Sequence, residues 1–205
     1  MGKKIIALMV VLVAAGITFV SFQRMAGPDL ASEAGGEVEI PESLDAGIAL
    51  GEMAPLDLPL QDSAGEPTNL GEQMGEAGLV LMLNRSPDWC SYCRAQMMGT
   101  KDIAAAVEAR GFGLAALTYD EVQTLAEFRD EEDVNYTLLS DRGSVMIDQL
   151  GLRDPQYREG TRAYGVPRAT VLVLSPEGSV LAKNVTPDYR ERPTNLQVLA
   201  IIDGS

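Results

Sequence analysis

Histidine is absent from all 205 residues. That gap excludes a Ser-His-Asp or Cys-His nucleophile, and any zinc or copper site that uses imidazole. Basic residues are scarce: 16 Lys and Arg stand against 30 Asp and Glu, for a formal charge of −14. Phosphate binding needs a basic face, so nucleic acid is excluded as a partner. Aromatic residues make up 5% of the chain and hydrophobic residues 46%, so the core must be mostly aliphatic. Cysteine occurs twice. Two cysteines without histidine cannot close a structural zinc site within one chain. We expect no metal and no cofactor.

The length allows one domain of ordinary size plus a tail or anchor. Lys3 and Lys4 precede an uncharged run of 18 residues, Ile5 to Phe22. As a helix rising about 1.5 Å per residue, it just spans a hydrocarbon core of roughly 30 Å. The lysines favour a cytoplasmic N-terminus and an exported remainder. No small-x-small cleavage site follows Phe22 directly, so residues 1–24 read as an uncleaved transmembrane anchor rather than a signal peptide. The alternative is a periplasmic or secreted protein after late cleavage. Either way, cysteines reach a compartment where they can be oxidised. Residues 25–50, rich in Gly, Ala, Pro and acids, read as a flexible acidic linker. Beyond Lys3, Lys4 and Arg24 there remain 13 bases against all 30 acids.

The folded domain is expected over 51–205. "APLDLPLQDSAGEPTNL" reads as a hairpin around "SAGEP", and "GLVLML" as a buried central strand. A helix is expected from about Ser91 to Arg110, followed by the strand "FGLAALTY". "DEVQTLAEFRD" has near-helical apolar spacing with Asp120 as its N-cap. A short strand "YTLLS", a helix "GSVMIDQLG", two strands in "ATVLVLSPEGSVLAKNV" and a helix "NLQVLAIIDG" complete the order. Alternation of this kind predicts an α/β fold, a central mixed sheet with helices on both faces.

Both cysteines lie in "SPDWCSYCRAQM", beside the only tryptophan. Cys90 falls where a helix begins and Cys93 one turn later. Unpaired N–H groups and the helix dipole there favour a thiolate, the reactive form of the side chain. Arg85 and Arg94 add to that effect and Asp88 opposes it. An exposed Cys90 would attack and Cys93 would resolve. A passive staple is the competing reading, but a disulfide closing so short a loop constrains the unfolded chain little.

Beyond the pair, "LNRSPDWCSYCRAQM" resembles the active-site segment of thioredoxin-like redoxins in the alkyl hydroperoxide reductase/thiol-specific antioxidant group. "GEMAPLDLPLQDSAGEPTNL", "LTYDEVQTLAEF", "YTLLSDRGSVMIDQLGL" and "YGVPRATVLVLSPEGSV" resemble further segments of that family in the same order. The resemblance implies a thioredoxin-like fold with Cys90 attacking and Cys93 resolving. It also implies that Trp89 packs beside the site and that Pro167 is a cis-proline facing the pair. Val166 would then offer backbone hydrogen bonds to an extended substrate.

Three departures matter. Many thioredoxins carry a buried Asp where this chain has Asn84, and an amide cannot take the proton of Cys93. Water or a distant carboxylate such as Glu76 would have to serve, unless Asn84 is simply a satisfied buried polar group. Peroxiredoxins place a Thr or Ser three residues before the attacking cysteine, where this chain has Pro87, with Ser86 one place off. Arg168 resembles the arginine that stabilises their thiolate, and equally suits a flank of the sheet.

The leading expectation is a membrane-tethered thiol–disulfide oxidoreductase facing the periplasm or cell exterior. Its partners would be cysteine-containing exported proteins or a membrane thiol reductant. The alternative enzyme is a thiol peroxidase, in which peroxide oxidises Cys90 to a sulfenic acid. A non-catalytic binding or sensing module on the same fold is the third reading.

Overall fold

The computed structural model describes residues 38–205. The apolar run and the first part of the expected linker lie outside these residues. Among the described residues, no helix is long and apolar enough to cross a membrane.

The organising strand is β3 (Gly78–Leu83), buried along its whole length. Its side chains alternate between two cores. Leu79, Leu81 and Leu83 enter one, while Val80 and Met82 enter the other. β3 runs parallel to β4 (Phe112–Thr118), and β4 parallel to β5 (Thr137–Ser140). On its other side β3 pairs antiparallel with β6 (Thr170–Leu174), which pairs antiparallel with β7 (Val180–Val185). The expected hairpin is β1 (Leu60–Asp62) with β2 (Pro67–Thr68), joined to the sheet through β5. The sheet order is therefore β2-β1-β5-β4-β3-β6-β7.

Helices cover both faces, as the alternation predicts. α1 (Ser91–Thr100), α2 (Ala104–Glu108), α3 (Val122–Glu132) and α5 (Asn195–Asp203) supply Met97, Val107, Phe128 and Val198 to one core. α4 (Val145–Gln149) supplies Met146 and Ile147 to the other. β3 must begin with glycine. Gly78 has φ +126°, and a Cβ there would lie 1.8 Å from the Leu174 carbonyl oxygen.

Three expectations are corrected. The packed domain starts before Gly51: Leu44 N–H donates to Val185 O, Ile48 N–H donates to Leu150 O, and Lys183 Nζ donates to the carbonyls of Ala46 and Ile48. The reason is apolar alternation, since Leu44, Ala46 and Ile48 all reach the core. The single helix expected over 91–110 is interrupted by a 3₁₀ turn at Lys101–Ile103. There the Thr100 hydroxyl bonds back to Gln96 O at 2.9 Å, a pattern that bends helices. α3 is preceded by Glu121, with no side-chain cap, because Asp120 is engaged elsewhere.

α5 starts with a capping box: Thr194 Oγ1 accepts the Gln197 N–H and Gln197 Oε1 accepts the Thr194 N–H. We expect Thr194→Ala to lower stability by about 1 kcal/mol. In a thermal melt this is a fall of roughly 2–4 °C.

Candidate active site

Cys90 caps the N-terminus of α1 in an extended conformation, so its side chain folds back over the first turn. Its Sγ accepts the Cys93 N–H at 3.2 Å and is bonded to Cys93 Sγ, with the Cα atoms 5.2 Å apart. This geometry corrects the expectation of an exposed Cys90: it is 4% exposed, and Cys93 is 0%. The sulfurs turn towards each other rather than outward.

Two arginines dominate the surroundings. Arg192, in the segment before α5, is half-buried and reaches the pair from 99 residues away. Its Nη2 donates to Cys93 Sγ at 3.1 Å, its Nη1 donates to Asn84 Oδ1 at 2.7 Å and Gln96 Oε1 at 2.6 Å, and its Nε donates to Tyr189 O at 2.8 Å. Burial, then the nearby charge of Arg85, brings its pKa down to about 10, so it remains cationic at neutral pH. Asn84 is thus a satisfied buried polar group with a definite task, holding that guanidinium. Arg85 is buried, and its Nε and Nη1 have no hydrogen-bond partner. Its guanidinium lies 3.7 Å from the Tyr189 ring centroid, 5.1 Å from that of Trp89 and 5.2 Å from that of Tyr157. Aromatic faces therefore replace a carboxylate as its electrostatic partners.

Trp89, next to Cys90 in the chain, is half-buried, with Nε1 donating to Tyr119 Oη at 3.2 Å. The Asp88–Arg162 ion pair sits over it, at 5.8 Å from guanidinium to ring. Below the loop, the Ser86 hydroxyl donates to Asp120 Oδ1 at 2.9 Å, and Ser86 O accepts the Cys90 N–H at 3.3 Å. Asp120 Oδ2 is buried without a partner, and burial raises this carboxyl to about 6.

The Val166–Pro167 segment differs from expectation. The described residues contain no cis peptide bond, so Pro167 is trans. Neighbouring backbone claims this stretch: Asp154 N–H donates to Val166 O at 2.9 Å, Val166 N–H donates to Ala163 O at 3.2 Å, and Arg168 N–H donates to Leu152 O at 2.7 Å. Val166 has no free backbone group for a bound strand. Arg168 lines a cavity of 260 Å³ with Asp154, Gln156, Asp188 and Tyr189, and makes no hydrogen bond to either sulfur. Glu76 is away from the site, at the start of the turn before β3. Sequence reasoning missed Arg192 and the Ser86–Asp120 link. Arg192 carries no local signal, since only the tertiary fold brings it to Cys93.

The family model for the AhpC/TSA family matches residues 50–183. The chain belongs to this family. Curated members with detectable similarity include peroxiredoxin Bcp of Escherichia coli K12, 28% identical over 127 residues, covering 62% of this chain and 79% of the relative. A putative peroxiredoxin bcp of Coxiella burnetii is 25% identical over 135 residues, covering 66% and 87%. Among solved structures, the peroxidoxin BcpB of Mycobacterium tuberculosis superposes with a TM-score of 0.63 at 20% identity, over 75% of this chain and 96% of that one. Peroxiredoxin Q of Xanthomonas campestris gives 0.62 at 20% identity, over 78% and 96%. These similarities establish the thioredoxin-like fold of this AhpC/TSA protein.

Proposed function

We propose that the protein is a thiol peroxidase, with Cys90 as the peroxidatic and Cys93 as the resolving cysteine. The observation that carries this reading is the closed backbone at Val166, whose N–H and C=O are both bonded within the chain. An extended protein substrate finds no free edge there, whereas a peroxide needs only access to one sulfur. The peroxiredoxin names of the curated relatives point the same way.

The reaction balances as follows. The Cys90 thiolate attacks the distal peroxide oxygen, the O–O bond breaks, and the alkoxide or hydroxide leaves as alcohol or water after taking a proton. Cys90 is now a sulfenic acid. Cys93 attacks its sulfur, water departs, and the disulfide forms across one helical turn with no long movement. An external dithiol returns two electrons. Among the arginines of the described residues, Arg192 is the one hydrogen-bonded to a sulfur of the pair.

Thiol–disulfide exchange with cysteine-containing proteins is the second reading, favoured by the closeness of the pair and its flanking Trp89. One comparison separates them: the reduced protein is mixed with hydrogen peroxide or cumene hydroperoxide, and separately with insulin. We expect one equivalent of peroxide to consume both thiols, well before insulin disulfides are reduced. Rapid insulin reduction without peroxide consumption would reverse the assignment. The run from Ile5 to Phe22 supports placing this chemistry outside the cytoplasm, on a membrane tether.

A further inference from the structure

We propose that Arg192 holds the buried Cys93, rather than Cys90 alone, as a thiolate in the reduced protein. It thereby removes the need for a proton acceptor at the resolving step and favours the dithiol over the disulfide. The inference rests on Cys90–Cys93 being a working redox pair, and does not depend on what oxidises it.

Several charged groups on the surrounding elements are already engaged. On α1, Arg94 is bonded to Glu131 and Glu132. On the loop before α1, Asp88 is paired with Arg162, and Asp120 after β4 accepts from Ser86. Ahead of α5, Arg190 is paired with Asp188. Among the described residues, Arg85 and Arg192 have no carboxylate within ion-pair distance; Arg85 is buried and Arg192 half-buried, with its guanidinium turned inward onto Asn84, Gln96 and Cys93. A buried charge with neutral partners alone is an unfavourable arrangement. The acceptors on Arg192 Nη1 are neutral amides, and its Nη2 points at Cys93 Sγ.

In the disulfide that sulfur carries no charge. Reduction supplies the missing anion at the position Nη2 already addresses, and the N-terminus of α1 acts in the same direction. Burial of Cys93 opposes ionisation. A guanidinium in contact, a second beside it and a helix terminus outweigh it, because the thiolate also relieves the uncompensated arginines. Reduction takes up two electrons and at most one proton, giving a Cys93 thiolate beside Cys90, which exchanges its single proton with solvent and attacks as the thiolate. Once an oxidant has made the Cys90 sulfenic acid, Cys93 attacks its sulfur without first losing a proton, and the departing hydroxide takes one from solvent. The absence of a buried acid at Asn84 is then explained. The proton relay found in many thioredoxins is replaced by a fixed cation, and the amide serves to aim it.

The test is the ionisation of Cys93 in a Cys90→Ser protein, followed by thiolate absorbance against pH. We expect a midpoint at least one unit below the free-thiol value of about 8.5. Arg192→Gln should carry it above 8.5, because burial then acts unopposed, and Arg192→Lys should restore part of the depression. With both cysteines present, Arg192→Gln should shift the glutathione equilibrium towards the disulfide by at least tenfold, about 30 mV for a two-electron couple. A midpoint at or above 8.5 with Arg192 in place overturns the proposal, even if the Gln variant does not fold. A folded Gln variant with an unmoved midpoint also overturns it and leaves Arg192 a structural residue. No peroxide enters these measurements, so loss of the peroxidase reading would leave their outcome standing.

Discussion

Cys90→Ser should reduce peroxide turnover to the background of the buffer, a loss of several orders of magnitude. Cys93→Ser should instead leave one fast turnover. In that variant Cys90 still attacks the peroxide, and the sulfenic acid persists until an added thiol or a second peroxide consumes it. Stability does not confuse the comparison. Both variants lose the same disulfide, whose short loop contributes about 2 kcal/mol on the chain-entropy argument, so both should melt at similar temperatures. The difference between them is chemical: one lacks the attacking atom, the other only its resolver. The decisive record is peroxide consumed per protein in the first seconds, with sulfenic acid trapped by a dimedone-type reagent. A burst from Cys90→Ser, or none from Cys93→Ser, would exchange the roles of the two cysteines. Equal full turnover by both would remove the pair from the chemistry.

The sequence revealed those parts of the molecule whose causes are local. "GLVLML" became β3 without change, because a strand buried on both faces is a continuous apolar run. The cysteine pair was legible for the same reason, since four consecutive residues contain both sulfurs and the start of the helix that Cys90 caps. Tertiary causes were not legible. Arg192 lies in "YRERPTN", a segment with no periodicity, and only the placement of α5 brings it to Cys93. The resemblance implied a cis-proline from the Gly-Val-Pro segment, yet the Leu152 carbonyl, accepting from Arg168 N–H, and the Asp154 N–H, donating to Val166 O, hold that stretch as part of the chain's own scaffold. Asp120 illustrates the competition most directly. Its position before an amphipathic helix marks an N-cap, but Ser86, 34 residues away, takes its carboxylate first. That capture changes both the helix start and the electrostatics beneath the active-site loop.

Asp120→Asn should accordingly stabilise the oxidised protein at neutral pH, and the gain should vanish in acid. Burial is the main cause that raises the Asp120 carboxyl from 3.8 to about 6, against the opposing hydrogen bonds from Thr118 and Ser86. The folded state therefore binds the proton more tightly than the unfolded chain does, and stability falls as pH rises from about 4 to about 6. Above that window the buried carboxylate is charged, and the full difference weighs against folding. At 1.36 kcal/mol per pKa unit this is roughly 3 kcal/mol, an upper bound because the group keeps some solvent contact. Below about 4 both states are protonated and the term disappears. An asparagine can still accept the Ser86 hydrogen bond, so it removes the titration and little else. Urea unfolding of both proteins at pH 4, 5, 6 and 7.5 gives the comparison directly. Asp141 is also raised by burial, but it is present in both and cancels in the difference. A stability gap that is the same at every pH would mean that Asp120 does not titrate in this range. A gap that opens between pH 4 and 6 would show that the fold retains a costly carboxylate directly beneath the loop that carries Cys90, as expected of groups kept for chemistry rather than for stability.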